Sequence, residues 1–132
     1  MKSIVPSVRK VEKRTWVEKV TDDTNHWLLA RNLIREGHFE DAAQQYLEDS
    51  SEQKEKNTLR AALSISAAAR CLAIIGKTQE SSNLFHKAAI LYESAKESEN
   101  NDESYVNWIT ERISHCQRRA SHKENVRHTV EE

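Results

Sequence analysis

The chain has 132 residues, of which 31% are charged and 6% aromatic, with two glycines, one proline and a formal net charge of −1. So few turn-forming residues exclude a hairpin-rich β domain, and the abundance of helix formers predicts a single all-α domain over residues 1–122. The near-neutral charge gives no overall attraction to nucleic acid or to an anionic membrane, and the sequence argues against direct nucleic-acid binding.

The first predicted element is an ancillary helix near the N-terminus. Residues 1–6 are predicted to be frayed, and Pro6 suits the start of a helix over about Val8–Val20. Its apolar positions are sparse, and the rest of the segment is basic. Two interpretations stay open, either a helix packed through Trp16 or an arm that becomes ordered on a partner.

Residues 21–56 are predicted to form a first antiparallel helical hairpin. Its first helix follows the capping side chains at 21–24 and ends at Gly37, where glycine suits the position after a helix. Its second helix has apolar residues at helical spacing: Phe39, Ala42, Ala43, Tyr46 and Leu47. The link of about two residues forces an antiparallel arrangement.

Residues 57–97 are predicted to form a second hairpin around the alanine-rich stretch Thr58–Gly76. Small or apolar side chains cover nearly the whole circumference of this stretch, so we expect neighbours on two sides of it. An amphipathic helix then runs to about Lys96. A polar loop follows, then a helix over 104–122, and residues 123–132 are predicted to be a disordered tail.

Aligning Gly37 with Gly76 shows an internal repeat. Matching residues stand eight, seven and four positions before each glycine, and five and nine positions after it: Leu29, Ala30, Leu33, Ala42 and Tyr46 in the first unit, and Ala68, Ala69, Leu72, Ser81 and Phe85 in the second. The pattern resembles the tetratricopeptide helix–turn–helix unit. The spacing between the two glycines is longer than in the tetratricopeptide unit. In this respect, and in the segment SAAARCLAIIGKTQESSNLFHKAAILYESA, the chain is similar to the hairpins of soluble NSF attachment proteins.

This resemblance implies an α-solenoid of about two hairpins, with the helix over 104–122 as a cap that covers the apolar end of the stack. It also implies a non-catalytic protein–protein interaction module or adaptor that binds a peptide or helix of a partner. The alternatives are a vesicle-trafficking attachment module, a microtubule-interacting-and-trafficking module and, from another class, a helical ligand-binding protein or enzyme. A homodimer is also allowed, because a short stack can complete its core with a second copy.

The repeat places two arginines, Arg31 and Arg70, six residues before their turn glycines. In the resembling family this side of the first helix lines the concave groove. We therefore expect Arg31 and Arg70, with Trp27 and Ser66 one turn earlier, to contact an acidic peptide. The alternative is that each arginine pairs with a nearby acid or extends along the surface into solvent.

No catalytic, cofactor or metal motif is predicted in the sequence. It has no phosphate-binding glycine loop, nucleophile elbow, HExxH or CxxC pattern, and its six histidines are scattered. Cys71 and Cys116 occupy apolar helix positions and are expected to be free thiols. The opening residues lack the apolar stretch of a secretory signal, and Arg60 and Arg70 argue against a membrane span over 59–75, so a cytoplasmic location is expected.

Overall fold

A computed structural model describes the backbone of residues 25–98 and 102–131, and the side chains of residues 25–97 and 102–121. Over these ranges the protein is all-α, as predicted. The predicted helix over 8–20 and the capping residues at 21–24 lie outside the described residues. The helices are α1 (Asn25–Arg35), α2 (Phe39–Gln53), α3 (Thr58–Ile74), α4 (Thr78–Ser98) and α5 (Glu103–Glu131).

Each helix makes its main contacts with its neighbours along the chain. Helix α3 packs against both α2 and α4, while α1 packs against α2, and α5 packs against α4. Every residue of α3 from Ala61 to Ala69 is buried. The alanine-rich stretch is therefore covered on two sides, as its composition predicts.

The two glycines end their helices with the same hydrogen bonds. Gly37 and Gly76 have φ angles of 86° and 85°, in the left-handed region that glycine adopts without strain. The amide of Gly37 donates to the Ile34 carbonyl at 2.9 Å, and the amide of the next residue donates to the Leu33 carbonyl at 2.8 Å. The matching bonds at Gly76 are 3.1 and 2.9 Å long. Both helices therefore end in a Schellman motif.

Polar side chains cap the starts of two later helices. Asn57 precedes α3 and accepts a hydrogen bond from the amide of Arg60 at 3.1 Å. Asp102 precedes α5 and accepts from the Tyr105 amide at 3.3 Å and from the Ser104 hydroxyl at 2.6 Å. These bonds satisfy amides that lack a partner inside the helix.

Helix α5 continues to Glu131, beyond the end predicted at residue 122. The chain has no glycine or proline after Gly76, so no residue in this segment breaks a helix. The helical backbone thus extends through most of the segment that the sequence predicted to be a disordered tail.

Small residues allow the helices to approach closely at their seams. Ala30, Ala42, Ala62 and Ala69 are fully buried. Buried serines also fit between helices, because each can donate to a backbone carbonyl of α3. The Ser50 hydroxyl donates to the Ala61 carbonyl at 3.1 Å, and the Ser81 hydroxyl donates to the Ala69 carbonyl at 2.8 Å. No helix in the described ranges has the length and apolar content that a membrane crossing requires.

Candidate partner-binding face

The structure separates the four predicted site residues into two groups. Arg31 on α1 and Arg70 on α3 are exposed, whereas the exposed fractions of Trp27 and Ser66 are 6% and 2%. The two arginines are therefore available to a partner. The two other residues lie in the seams between helices.

Trp27 is part of the helix packing, which corrects its predicted place in a groove. Its Nε1 donates to the Ser64 hydroxyl at 2.8 Å and to Asp49 Oδ2 at 3.3 Å. Its ring meets the Tyr46 ring edge to face, with centroids 4.7 Å apart. The indole therefore joins α1 to α2 and α3.

Ser66 is likewise a packing residue and not a residue of an open groove. Its hydroxyl donates to the Leu63 carbonyl of its own helix at 3.0 Å and lies 3.2 Å from the Tyr92 hydroxyl of α4. Both contacts are buried, so its polar atom already has partners inside the protein.

Arg31 and Arg70 lie near the same tyrosine of α2, Tyr46. Burial raises the pKa of Tyr46, while the positive charges of Arg70 and Arg31 oppose that increase. Arg31 and Arg70 are both exposed, and the charge of each acts on this one buried tyrosine.

The charge of Arg70 also acts on residues of α4 and α5. Burial lowers the pKa of His115, and the positive charges of four arginines lower it further: Arg119, Arg118, Arg70 and Arg112. Burial also raises the pKa of Tyr92, which Arg112 and Arg70 oppose. We call Arg31, Arg70, Arg112, Arg118 and Arg119 together the arginine face.

A surface cavity of about 590 Å³ lies along α5 at one end of the arginine face. The described residues that line it are Trp108, Thr110, Glu111, Arg112, Ser114, His115 and Arg118. The Arg112 guanidinium lies over the Trp108 ring, 5.1 Å from its centroid. The Arg119 guanidinium lies over the Phe85 ring at 4.6 Å, and that ring also meets His115 edge to face. Aromatic rings therefore hold two of the cations in place.

The arginines of the arginine face are not ion-paired in the part of the chain that the structure describes. Within those residues, none of its five arginines forms an ion pair, whereas Arg60 pairs with Asp49 and Lys77 pairs with Glu40 at 2.8 Å. The alternative interpretation had two forms, a local acid for each arginine or extension into solvent, and the exposure of Arg31 and Arg70 is compatible with the second.

Sequence reasoning selected Arg31 and Arg70 but did not select the α5 residues. These α5 residues could have been found from their spacing. Trp108, Arg112, His115 and Arg119 are three or four residues apart, which places them on one side of a helix. What the sequence could not give was the position of α5 relative to Arg70.

The described residues show no cluster of metal-binding side chains. No group of three or more His, Cys, Asp or Glu side chains among them could hold a metal ion. Cys71 and Cys116 are buried free thiols. Burial raises the pKa of both, that of Cys116 to about 11, so both are protonated at neutral pH.

Neither a protein-family model, nor a curated protein, nor a solved structure matches this chain. The geometry of the arginine face is therefore what bears on function.

Proposed function

We propose that this protein is a non-catalytic interaction module that binds an acidic segment of a partner protein across the arginine face. One observation carries the proposal. Arg31 and Arg70 occupy equivalent positions of the repeat, are both exposed, and act electrostatically on the same tyrosine, Tyr46. Neither forms an ion pair within the described ranges.

Guanidinium groups suit this task for a geometric reason. Each presents several N–H donors in a plane and can bind a carboxylate with two parallel hydrogen bonds. A single exposed pair contributes little, because water screens it and both side chains lose freedom. A row of cations gains more, since an acidic segment with several carboxylates engages them together once the first has bound.

We further propose that the helices stack as a short α-solenoid of tetratricopeptide type. The hairpins would be α1–α2 and α3–α4, with α5 as the cap. Supporting this are the matching Schellman motifs at Gly37 and Gly76 and the packing of each helix on its sequence neighbours. In such a stack the first helices of successive hairpins lie side by side. That arrangement fits the electrostatic link of Arg31 on α1 and Arg70 on α3 through Tyr46.

Selection from a displayed random peptide library tests the proposal and does not require the partner to be identified first. We expect the selected peptides to be rich in Asp and Glu, and their affinity to fall as salt concentration rises. The double variant Arg31→Glu/Arg70→Glu is expected to bind them about tenfold more weakly or worse, because attraction becomes repulsion. Calorimetry on a selected peptide measures the change.

The matched control reverses two charges elsewhere. Lys54 and Lys56 are exposed in the link between α2 and α3, about 18 Å along α3 from Arg70 when its helical rise is counted from Thr58. The Lys54→Glu/Lys56→Glu variant should keep the affinity of the wild type, and circular dichroism should show that both variants are folded. Selected peptides without acidic residues, or equal binding to the arginine variant, would contradict the proposal.

A further inference from the structure

We propose that the cavity along α5 receives a phosphorylated side chain of the partner segment. This inference rests on the proposed function, because it adds a second contact to the same bound segment. Two residues of the arginine face, Arg112 and Arg118, line the cavity. A segment that binds across the arginine face can therefore place one side chain in it.

The lining of the cavity has the donors that a phosphate monoester needs. Arg112 and Arg118 provide guanidinium groups, and Thr110 and Ser114 provide hydroxyls. A phosphoryl group carries between one and two negative charges at neutral pH, about −1.5 to −2, and has three strong acceptor oxygens. A carboxylate carries one charge and two oxygens. The larger charge and acceptor number favour phosphate at a site with several cations.

His115 lines the cavity together with Arg112 and Arg118, and the charge of Arg70 on α3 also acts on it. Helix α4 contributes the uncharged ring of Phe85, which meets the imidazole at 6.1 Å. Glu111 lines the cavity, yet no described ion pair joins it to His115 or to an arginine. A dianion placed here would offset the mutual repulsion of these cations.

One cation of the cavity is already positioned. Arg112 is held over Trp108, which also lines the cavity, so less side-chain freedom is lost when an anion binds. A guanidinium that stacks on a ring keeps its edge N–H groups free to donate. This arrangement resembles in kind the arginine clusters with which proteins recognise phosphorylated residues.

A protein segment fits the site better than a membrane or a nucleic acid does. The chain has a formal net charge of −1, and exposed acids at Glu97, Asp102 and Glu103 stand near the start of α5. A long polyanion or an anionic bilayer would meet these acids as well as the arginines. A short segment with one phosphate meets only the cavity and the arginine face.

A phosphoserine scan tests the inference on the full chain. Phosphoserine, serine or glutamate replaces each residue in turn of an acidic peptide chosen by the library selection, and fluorescence anisotropy measures affinity. At one position or more, phosphoserine should bind at least about tenfold more tightly than serine, and more tightly than glutamate. The Arg112→Gln/Arg118→Gln variant should lose this gain. Its affinity for the serine peptide should also fall, because both arginines belong to the arginine face, so the test is the ratio of the phosphoserine and serine affinities within each protein.

The outcomes separate this inference from the proposed function. Acidic peptides that bind without any phosphoserine gain, or a gain that survives in Arg112→Gln/Arg118→Gln, would overturn the cavity assignment and leave the proposed function in place. So would binding to vesicles that contain phosphatidylinositol bisphosphate, if that binding is lost in the variant and no phosphopeptide gain exists.

If no acidic peptide binds, the proposed function fails and the cavity is tested by itself. Inorganic phosphate is titrated while NMR follows the His115 ring. A saturable shift with a raised pKa of His115 in the wild type, absent from Arg112→Gln/Arg118→Gln, would support an anion site. Absence of a saturable shift would overturn it.

Discussion

Arg60 binds the buried carboxylate of Asp49 with two hydrogen bonds, 3.1 Å from Nε to Oδ2 and 2.5 Å from Nη2 to Oδ1. The carboxylate has no exposed surface, and the arginine side chain is 17% exposed. Ser64 donates to the same carboxylate at 2.6 Å and Trp27 at 3.3 Å. Burial alone would raise the pKa of Asp49, but these hydrogen bonds and the charge of Arg60 lower it below its usual value.

This arrangement ties α1, α2 and α3 together, and we predict that Asp49→Ala destabilises the fold by about 3–5 kcal/mol. The loss comes from a cation at Arg60 that is left largely buried without its partner. Urea denaturation followed by circular dichroism measures the change. Asp41→Ala is the control, an exposed acid of the same helix whose removal should cost less than about 1 kcal/mol. A loss below about 1 kcal/mol for Asp49→Ala would show that the pair contributes little.

The hydrogen bonds of Asp49 are also a part of the structure that could not be predicted from the sequence. In the repeat, Asp49 aligns with Ala88 of the second unit, so the pattern favours a small residue at position 49 and Asp49 departs from it. A carboxylate is present there because it accepts hydrogen bonds from Arg60 and Ser64, which are 11 and 15 residues away along the chain. No helical pattern within α2 indicates that these two side chains of α3 reach the carboxylate, because the contact depends on how two helices are rotated against each other.

A second prediction concerns the stability of the protein as pH changes. His26 on α1 lies between two acceptors of α2, Gln45 Oε1 at 2.9 Å from Nδ1 and Glu52 Oε2 at 3.1 Å from Nε2. Only the protonated ring donates at both nitrogens. The Gln45 contact raises the pKa of His26 above 6.5, burial lowers it in part, and Glu52 raises it further.

Because the folded pKa is raised, this stabilisation is complete below the unfolded pKa and is lost as pH rises through the folded value. We therefore expect the wild type to lose more stability between about pH 5.5 and pH 8.5 than His26→Gln does. Urea denaturation at both pH values measures the difference. His86→Gln, at an exposed histidine, is the control and should behave as the wild type. Equal pH dependence in His26→Gln and the wild type would argue against protonated His26.

The third prediction concerns the turn glycines. A Cβ added at Gly37 or Gly76 meets no atom within 4 Å, so the cost of substitution is backbone strain alone. Alanine at either position should lower the free energy of unfolding by about 1–2 kcal/mol. Asparagine should cost less, because its side chain tolerates the left-handed region. Thermal and urea denaturation of the four variants check this, and a clearly different cost at the two glycines would contradict the equivalence of the two turns.

The ends of α1 and α3 were predictable because each is followed by a glycine, the residue favoured directly after a helix. Gly37 and Gly76 predicted where α1 and α3 end, whereas the Asn57 cap of α3 was not predicted. The placement of Trp27 was not predictable in this way. Trp27 and Arg31 are four residues apart, which is about 40° around a helix. That angle is enough for one to lie in the seam with α2 while the other is exposed, and Ser66 and Arg70 differ in the same way.

The last prediction tests directly whether the arginines converge on His115. Removing a nearby positive charge makes protonation of the imidazole easier, so Arg118→Gln should raise the pKa of His115. A pH titration of the histidine ring signals by NMR measures this value in the wild type and the variant. Arg35→Gln is the control, an exposed arginine of α1 that does not contribute to the pKa of His115. An unchanged pKa in Arg118→Gln would mean that this arginine points away from the ring, and the cavity would then lack one of its two guanidinium donors.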